Sequence, residues 1–134
     1  MPHSRSTPRH VFVYGTLRAG GSNDIARFRP RPEHVGPAVL AGTMYDLGAY
    51  PGAVLGGEGI LLGEVYRITP EVETALDLLE EVADDDNGEY IKRECEVVVN
   101  GQTVVCVVYE IHPERLADRP VIGSGDWFAR GFHG

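Results

Sequence analysis

The sequence predicts an α+β protein: a small mixed, mostly antiparallel β-barrel or curled sheet of five or six strands, with one main α-helix. Three observations lead there. Seventeen glycines and nine prolines among 134 residues divide the apolar segments into short runs bounded by turns. One stretch, residues 70 to 83, places Val72, Ala75, Leu76, Leu79 and Val82 at helical spacing. The dipeptide Asn100-Gly101 separates two apolar runs and fits a two-residue hairpin turn. No longer period recurs, which excludes a solenoid or propeller.

Taken in order, His10 to Leu17 predicts a strand running into a loop that Gly20-Gly21-Ser22-Asn23-Asp24 prolongs. Ile25 to His34 is too rich in Arg and Pro to assign. Pro37 to Leu47 is strand-like and ends in the turn-rich AYPGAVLGGEG of 49–59, after which ILLGEVYRI, 60–68, is the next strand. Thr69-Pro70-Glu71 opens the helix with a hydroxyl cap, a proline where no amide is needed, and a carboxylate at the positive dipole end. Asp84-Asp85-Asp86-Asn87-Gly88 closes it. The hairpin strands follow at about 90–99 and 102–111 in a register where opposing numbers sum to 201, so Cys95 faces Cys106. The second strand, containing TVVCVVYEI, is apolar on both faces, the mark of a central strand or a closed barrel. The tail from His112 to Gly134 holds the only Trp, in GSGDWF, and is otherwise irregular.

Residues 1–9 read as a disordered leader without the apolar core of a secretion signal, and residues 10–134 as one domain. Apolar residues make up 43%, yet no run approaches the ~18 residues of a membrane span, so a cytoplasmic protein without membrane contact is expected. A net charge of −8, without a basic stripe, is the wrong sign for binding nucleic acid. In that compartment Cys95 and Cys106 are expected as reduced, inert thiols. No metal or cofactor is expected. The five histidines are scattered, and aligning Gly88 with the invariant glycine of a calcium loop puts Ala83 at the first ligand position. Oligomeric state is not readable.

No nucleophile elbow, Walker loop, zinc-protease or dinucleotide motif is present, since GGEG at 56–59 lacks the required spacing. What remains are carboxylates on the helix. With Val72 at zero and ~100° per residue, Glu80 falls near 80°, at the margin of the buried face, whereas Asp77 near 140° and Glu81 near 180° point to solvent. A carboxylate at that margin is either an ordinary surface Glu or a partly desolvated acid suited to proton transfer. The turn Tyr14-Gly15-Thr16-Leu17 has two readings as well. It is a strand end where Tyr14 packs in the core, or a ligand loop whose consecutive amides are exposed and whose Gly15 permits close approach. Tyr50, Pro51 and Tyr109 are candidate pocket walls. Arg18 reads as a solvated loop residue or a partner for a substrate carboxylate, and Asp126 and Trp127 as pins for the tail.

VFVYGTLRAG at 11–20, AYPGAV at 49–54, GEVYRI at 63–68, LDLLEEV at 76–82, Tyr90 before a basic strand, and GDW at 125–127 occur in that order. Together they resemble the γ-glutamylcyclotransferase-like superfamily, in its AIG2-like and γ-glutamylamine cyclotransferase branch, over about residues 10–127. The resemblance implies a small mixed barrel with the YGTL loop at one mouth. It also implies substrate binding by Tyr14, Gly15, Thr16 and Leu17, and general acid/base catalysis by Glu80. The implied reaction cyclises a γ-glutamyl amine or peptide to 5-oxoproline and releases the amine. Glu81 departs from the glycine many members carry after that Glu. A non-catalytic binder of a small metabolite on the same fold is the alternative, and a protein acting through a partner surface is a third.

Overall fold

The computed structural model describes residues 9–21, 23–48, 50–80, 90–116 and 118–132. The expected leader (residues 1–8 of it), the helix end at 81–83 and the acidic turn at 84–88 lie outside the described residues. Among the described residues six strands and one α-helix occur in the order β1 (Arg9–Val13), β2 (Glu33–Asp46), β3 (Pro51–Ile68), α1 (Pro70–Leu79), β4 (Tyr90–Val99), β5 (Gln102–Ile111) and β6 (Val121–Ile122). They form one sheet in the order β4-β5-β1-β3-β2-β6. Among the described residues only β1 and β5 pair in parallel; the other ladders are antiparallel. Arg9, expected in the leader, is the first residue of β1 and pairs with Ile68.

The sheet is curled and open, not a closed barrel. Among the described residues no ladder joins β4 to the β2–β6 side. The two sides do approach each other, and the Asn100 side chain at the hairpin tip donates to Val35 O at 2.9 Å. At that tip Asn100 and Gly101 both have positive φ (53° and 77°), as a two-residue turn matched to strand twist requires. The register is the expected one, Cys95 facing Cys106, and both thiols are free. Burial pushes the Cys106 thiol up to about 11, so it stays protonated and unreactive near neutral pH.

Residues 51–59 correct the expectation of a turn. Pro51 opens β3, where a missing amide is tolerated, and the strand runs on to Ile68. The glycines are absorbed by an excursion: Leu55 pairs with Gly42 and Ile60 with Ala41, so 56–59 stand outside the ladder. The tail is also more ordered than its composition suggests, since β6 pairs with β2 through Ile122 and Met44.

Alternation along the strands builds two apolar layers. Val11, Val13, Val107, Tyr109 and Ile111 pack with Val72 and Leu76 of the helix. Phe12, Tyr14, Cys106 and Val108 face the inside of the curl, with Val65, Ile122 and Trp127. From Cys106 to Tyr109 strand β5 is therefore buried on both faces, as its sequence indicates, whereas Gln102, Thr103 and Val105 near the hairpin tip are exposed. The helix starts at the expected cap, Thr69 Oγ1 accepting from Val72 N at 3.3 Å, and its backbone turns out of helical geometry at Glu80.

A β-carbon on Gly63 would collide with Val13 O and lie 2.8 Å from Phe12 Cζ, because β1 and β3 cross closely there. Gly63→Ala is therefore expected to lower stability by about 1–3 kcal/mol. Urea unfolding followed by circular dichroism measures this; an unchanged midpoint would show that the close approach is not needed.

Candidate functional site

Strand β1 ends at Val13, and residues 14–17 form the tight turn into which it was expected to run. The carbonyls of the turn face the protein. Gly15 O accepts from Arg18 N at 3.0 Å, Thr16 O from Asn23 N at 2.9 Å, and Leu17 O from Ile25 N at 3.0 Å. The amides of Gly15, Thr16 and Leu17 donate in none of these turn hydrogen bonds. Consecutive amides turned toward one space favour an anion or a developing oxyanion.

That turn lines a cavity of about 260 Å³. Tyr50 and Pro51 form a second side of it, Leu79 and Glu80 at the helix end a third, and Tyr90 and Tyr109 come from the hairpin strands. All eight residues singled out in the sequence border this one space: Tyr14, Gly15, Thr16, Leu17, Tyr50, Pro51, Glu80 and Tyr109. The sequence reading missed Asn23 and Tyr90. Asn23 sits in a polar glycine-rich segment without periodicity; its Nδ2 donates to Thr16 Oγ1 at 3.1 Å. Tyr90 stands at the start of β4, and its hydroxyl donates to Pro51 O at 2.7 Å, holding the second side in place.

The side chains of the turn divide their work. Tyr14 is buried, as in the core-packing reading, while its backbone leads into the cavity. Its hydroxyl donates to Tyr109 O at 2.7 Å and accepts from Ala53 N at 3.2 Å, tying the end of β1 to β5 and β3. Leu17 packs its side chain into the helix-side layer. Gly15 differs from expectation, because a β-carbon there would lie 2.5 Å from Pro51 Cγ. The close approach it permits is to Pro51, bringing two sides of the cavity together.

Arg18 is not a solvated loop residue. Its side chain is 15% exposed, with Nε 3.2 Å from Glu64 Oε2 and a terminal nitrogen 2.9 Å from Asp126 Oδ1. It also lies over the Phe128 ring, 4.2 Å from the centroid. Glu64 Oε1 accepts from Ala19 N and from the Tyr66 hydroxyl, both at 2.9 Å. The turn is thus clamped from below by β3 and by the tail, and Asp126 and Trp127 pin that tail as expected.

Glu80 is half-buried at the end of α1. Burial pushes the Tyr14 phenol well above its usual range, and the Glu80 charge raises it further. The Tyr109 phenol is raised by burial first, then by its hydrogen bond to Asp77 and the Asp77 charge, with Glu80 adding to both. Both phenols therefore remain neutral, within range of the Glu80 carboxylate. Asp77, expected in solvent, accepts from the Tyr109 hydroxyl at 2.7 Å and from Lys92 Nζ at 3.0 Å, because β4 and β5 reach past the flank of the helix. Among the described residues no group of three or more His, Cys, Asp or Glu is arranged to hold a metal ion. No helix among them is long and apolar enough to cross a membrane.

Residues 11–129 match the family described as γ-glutamyl cyclotransferase, AIG2-like. A Vibrio cholerae protein with a provisional γ-glutamylcyclotransferase name is 37% identical over 128 residues, spanning 90% of this chain and 96% of that protein. The γ-L-glutamyl-butirosin B γ-glutamyl cyclotransferase of Niallia circulans is 33% identical over 97 residues, 70% of this chain and 61% of its own length. Among solved structures, an AIG2-like protein from Mus musculus superimposes with a TM-score of 0.67 at 25% identity, covering 81% of this chain and 82% of that one.

Tyr14→Phe keeps the ring but strands Tyr109 O and Ala53 N in the core, and is expected to cost about 1–3 kcal/mol. Denaturant titration of the variant reads this directly; stability equal to wild type would mean water replaces both bonds.

Proposed function

The chain belongs to the AIG2-like γ-glutamyl cyclotransferase family, and we propose that it converts a γ-glutamyl amine or peptide to 5-oxoproline with Glu80 as general acid/base. The observation that carries this reading is that Glu80 and the amides of Gly15, Thr16 and Leu17 border the same cavity. The reaction needs no enzyme nucleophile, because the substrate carries its own. Its α-nitrogen attacks its γ-carbonyl carbon, a five-membered lactam closes, and the bond to the leaving nitrogen breaks.

Three demands fall on the protein. It folds the glutamyl chain so that nitrogen and carbon meet, an orientation effect of up to roughly 7–11 kcal/mol. A base removes a proton from the α-ammonium and an acid delivers one to the departing nitrogen; Glu80 does both in sequence. Fixed donors meet the charge developing on the carbonyl oxygen, each worth about 3–4 kcal/mol, and the turn amides supply them. The buried, neutral Tyr14 beneath the turn keeps those amides in place through its bonds to β3 and β5.

A panel of γ-glutamyl compounds incubated with wild type and Glu80→Gln, with 5-oxoproline measured by mass spectrometry, tests the proposal. Loss of about 10²–10⁴-fold in the variant is expected. Undiminished turnover in a folded variant removes Glu80 from the mechanism, and absence of product from every donor turns the reading toward a non-catalytic metabolite binder.

A further inference from the structure

Tyr109 is a wall of the cavity whose hydroxyl proton is already committed. Tyr109 borders the cavity, and its hydroxyl donates to Asp77 Oδ1 at 2.7 Å. Asp77 cannot easily turn away, because Lys92 Nζ holds its other oxygen at 3.0 Å. Lys92 also pairs with Glu73, which is 3.3 Å from Arg9 Nε. Hydrogen bonds to an ionised acceptor are the stronger kind, so this one dictates which way the phenolic proton points.

A tyrosine hydroxyl has one proton and room to accept two bonds. With the proton given to Asp77, what Tyr109 offers to another group is an acceptor. The cavity therefore has two chemically opposite sides: donors at the turn amides, acceptors at Tyr109 and the Glu80 carboxylate. Among the described residues, Glu73, Asp77, Glu80 and Glu94 stand against Lys92 and Arg9, four carboxylates to two cations, which favours a cation beside Tyr109 and Glu80.

We propose that Asp77 is a positioning residue that fixes the Tyr109 hydroxyl as an acceptor, so that Tyr109 and Glu80 together receive the α-ammonium of the substrate. The inference rests on the cyclotransferase reading and deepens it by orienting the substrate. The γ-carbonyl oxygen lies toward residues 15–17, and the α-nitrogen toward Tyr109, next to the base that deprotonates it. Tyr109 contributes no proton to the oxyanion.

The test compares calorimetric binding of L-glutamine with that of glutaramate, the same γ-amide without the α-nitrogen, in wild type, Asp77→Asn, Tyr109→Phe and the double variant. Thermal melts check folding, and Tyr109→Phe carries the test if Asp77→Asn does not fold. Each single variant is expected to weaken L-glutamine roughly 10- to 100-fold and to leave glutaramate unchanged. The double variant is expected to be no worse than Tyr109→Phe, because Asp77 acts through Tyr109. Equal weakening of both ligands would assign Asp77 a merely structural role and overturn the inference, as would a wild type that does not prefer L-glutamine or variants that bind it normally. Measuring 5-oxoproline on the same samples separates the two readings. Turnover without this discrimination keeps the enzyme and loses the ammonium site; discrimination without turnover does the reverse.

Discussion

The carbonyl oxygens of Gly15, Thr16 and Leu17 are all engaged by the chain's own amides, and the remaining geometry of the site follows from that. A peptide group joins the carbonyl of one residue to the amide of the next, so anchoring the Gly15 and Thr16 oxygens turns the Thr16 and Leu17 N–H groups the other way, while the Arg18 amide closes the turn on Gly15 O. The anchors come from the segment that follows, through Arg18, Asn23 and Ile25, which makes the turn and the short helical stretch after it one unit. Glycine at position 15 lets that unit press against Pro51, and the Arg18 clamp on Glu64 and Asp126 keeps it from lifting.

The second half of the site is held by a different kind of force. Glu80 sits where α1 ends, and the helix is seated by Val72 and Leu76, both almost wholly buried against the sheet. Apolar burial fixes the axis of the helix but is tolerant of its rotation. The ion pairs of Lys92 with Glu73 and Asp77 remove that freedom, because they fasten one flank of the helix to β4. The carboxylate at the helix end is aimed by a core on one face and by charges on the other.

Much of this could be read from residue order alone where the determinant is local. Asn100-Gly101 implies its turn and, through it, the pairing of Cys95 with Cys106. Thr69-Pro70 marks the helix start, and helical spacing from Val72 puts Glu80 at the edge of the buried face. Wherever a partner lies far along the chain, the reading fails for a physical reason. Arg18 looks solvated until Asp126, 108 residues away, is brought beneath it. Asp77 lies off the apolar stripe, but the angle on a helical wheel says nothing of Tyr109 and Lys92 reaching past that flank. Residues 51–59 look like a turn because Gly and Pro usually make one. Here a proline begins a strand, and glycines form an excursion within it. The sequence does not decide between a barrel and a curled sheet, because closure depends on a ladder between β4 and the far side of the sheet, a pairing no short motif encodes.

The central claim is that the turn amides grip the anionic or carbonyl oxygen of a ligand in the cavity that Glu80 also borders. Backbone amide NMR during titration with 5-oxoproline tests it most directly. The account predicts that the Gly15, Thr16 and Leu17 amide protons move downfield as acceptors arrive, while amides on the outer face of β2 stay still. A titration in which bound ligand leaves those three resonances unmoved would contradict it.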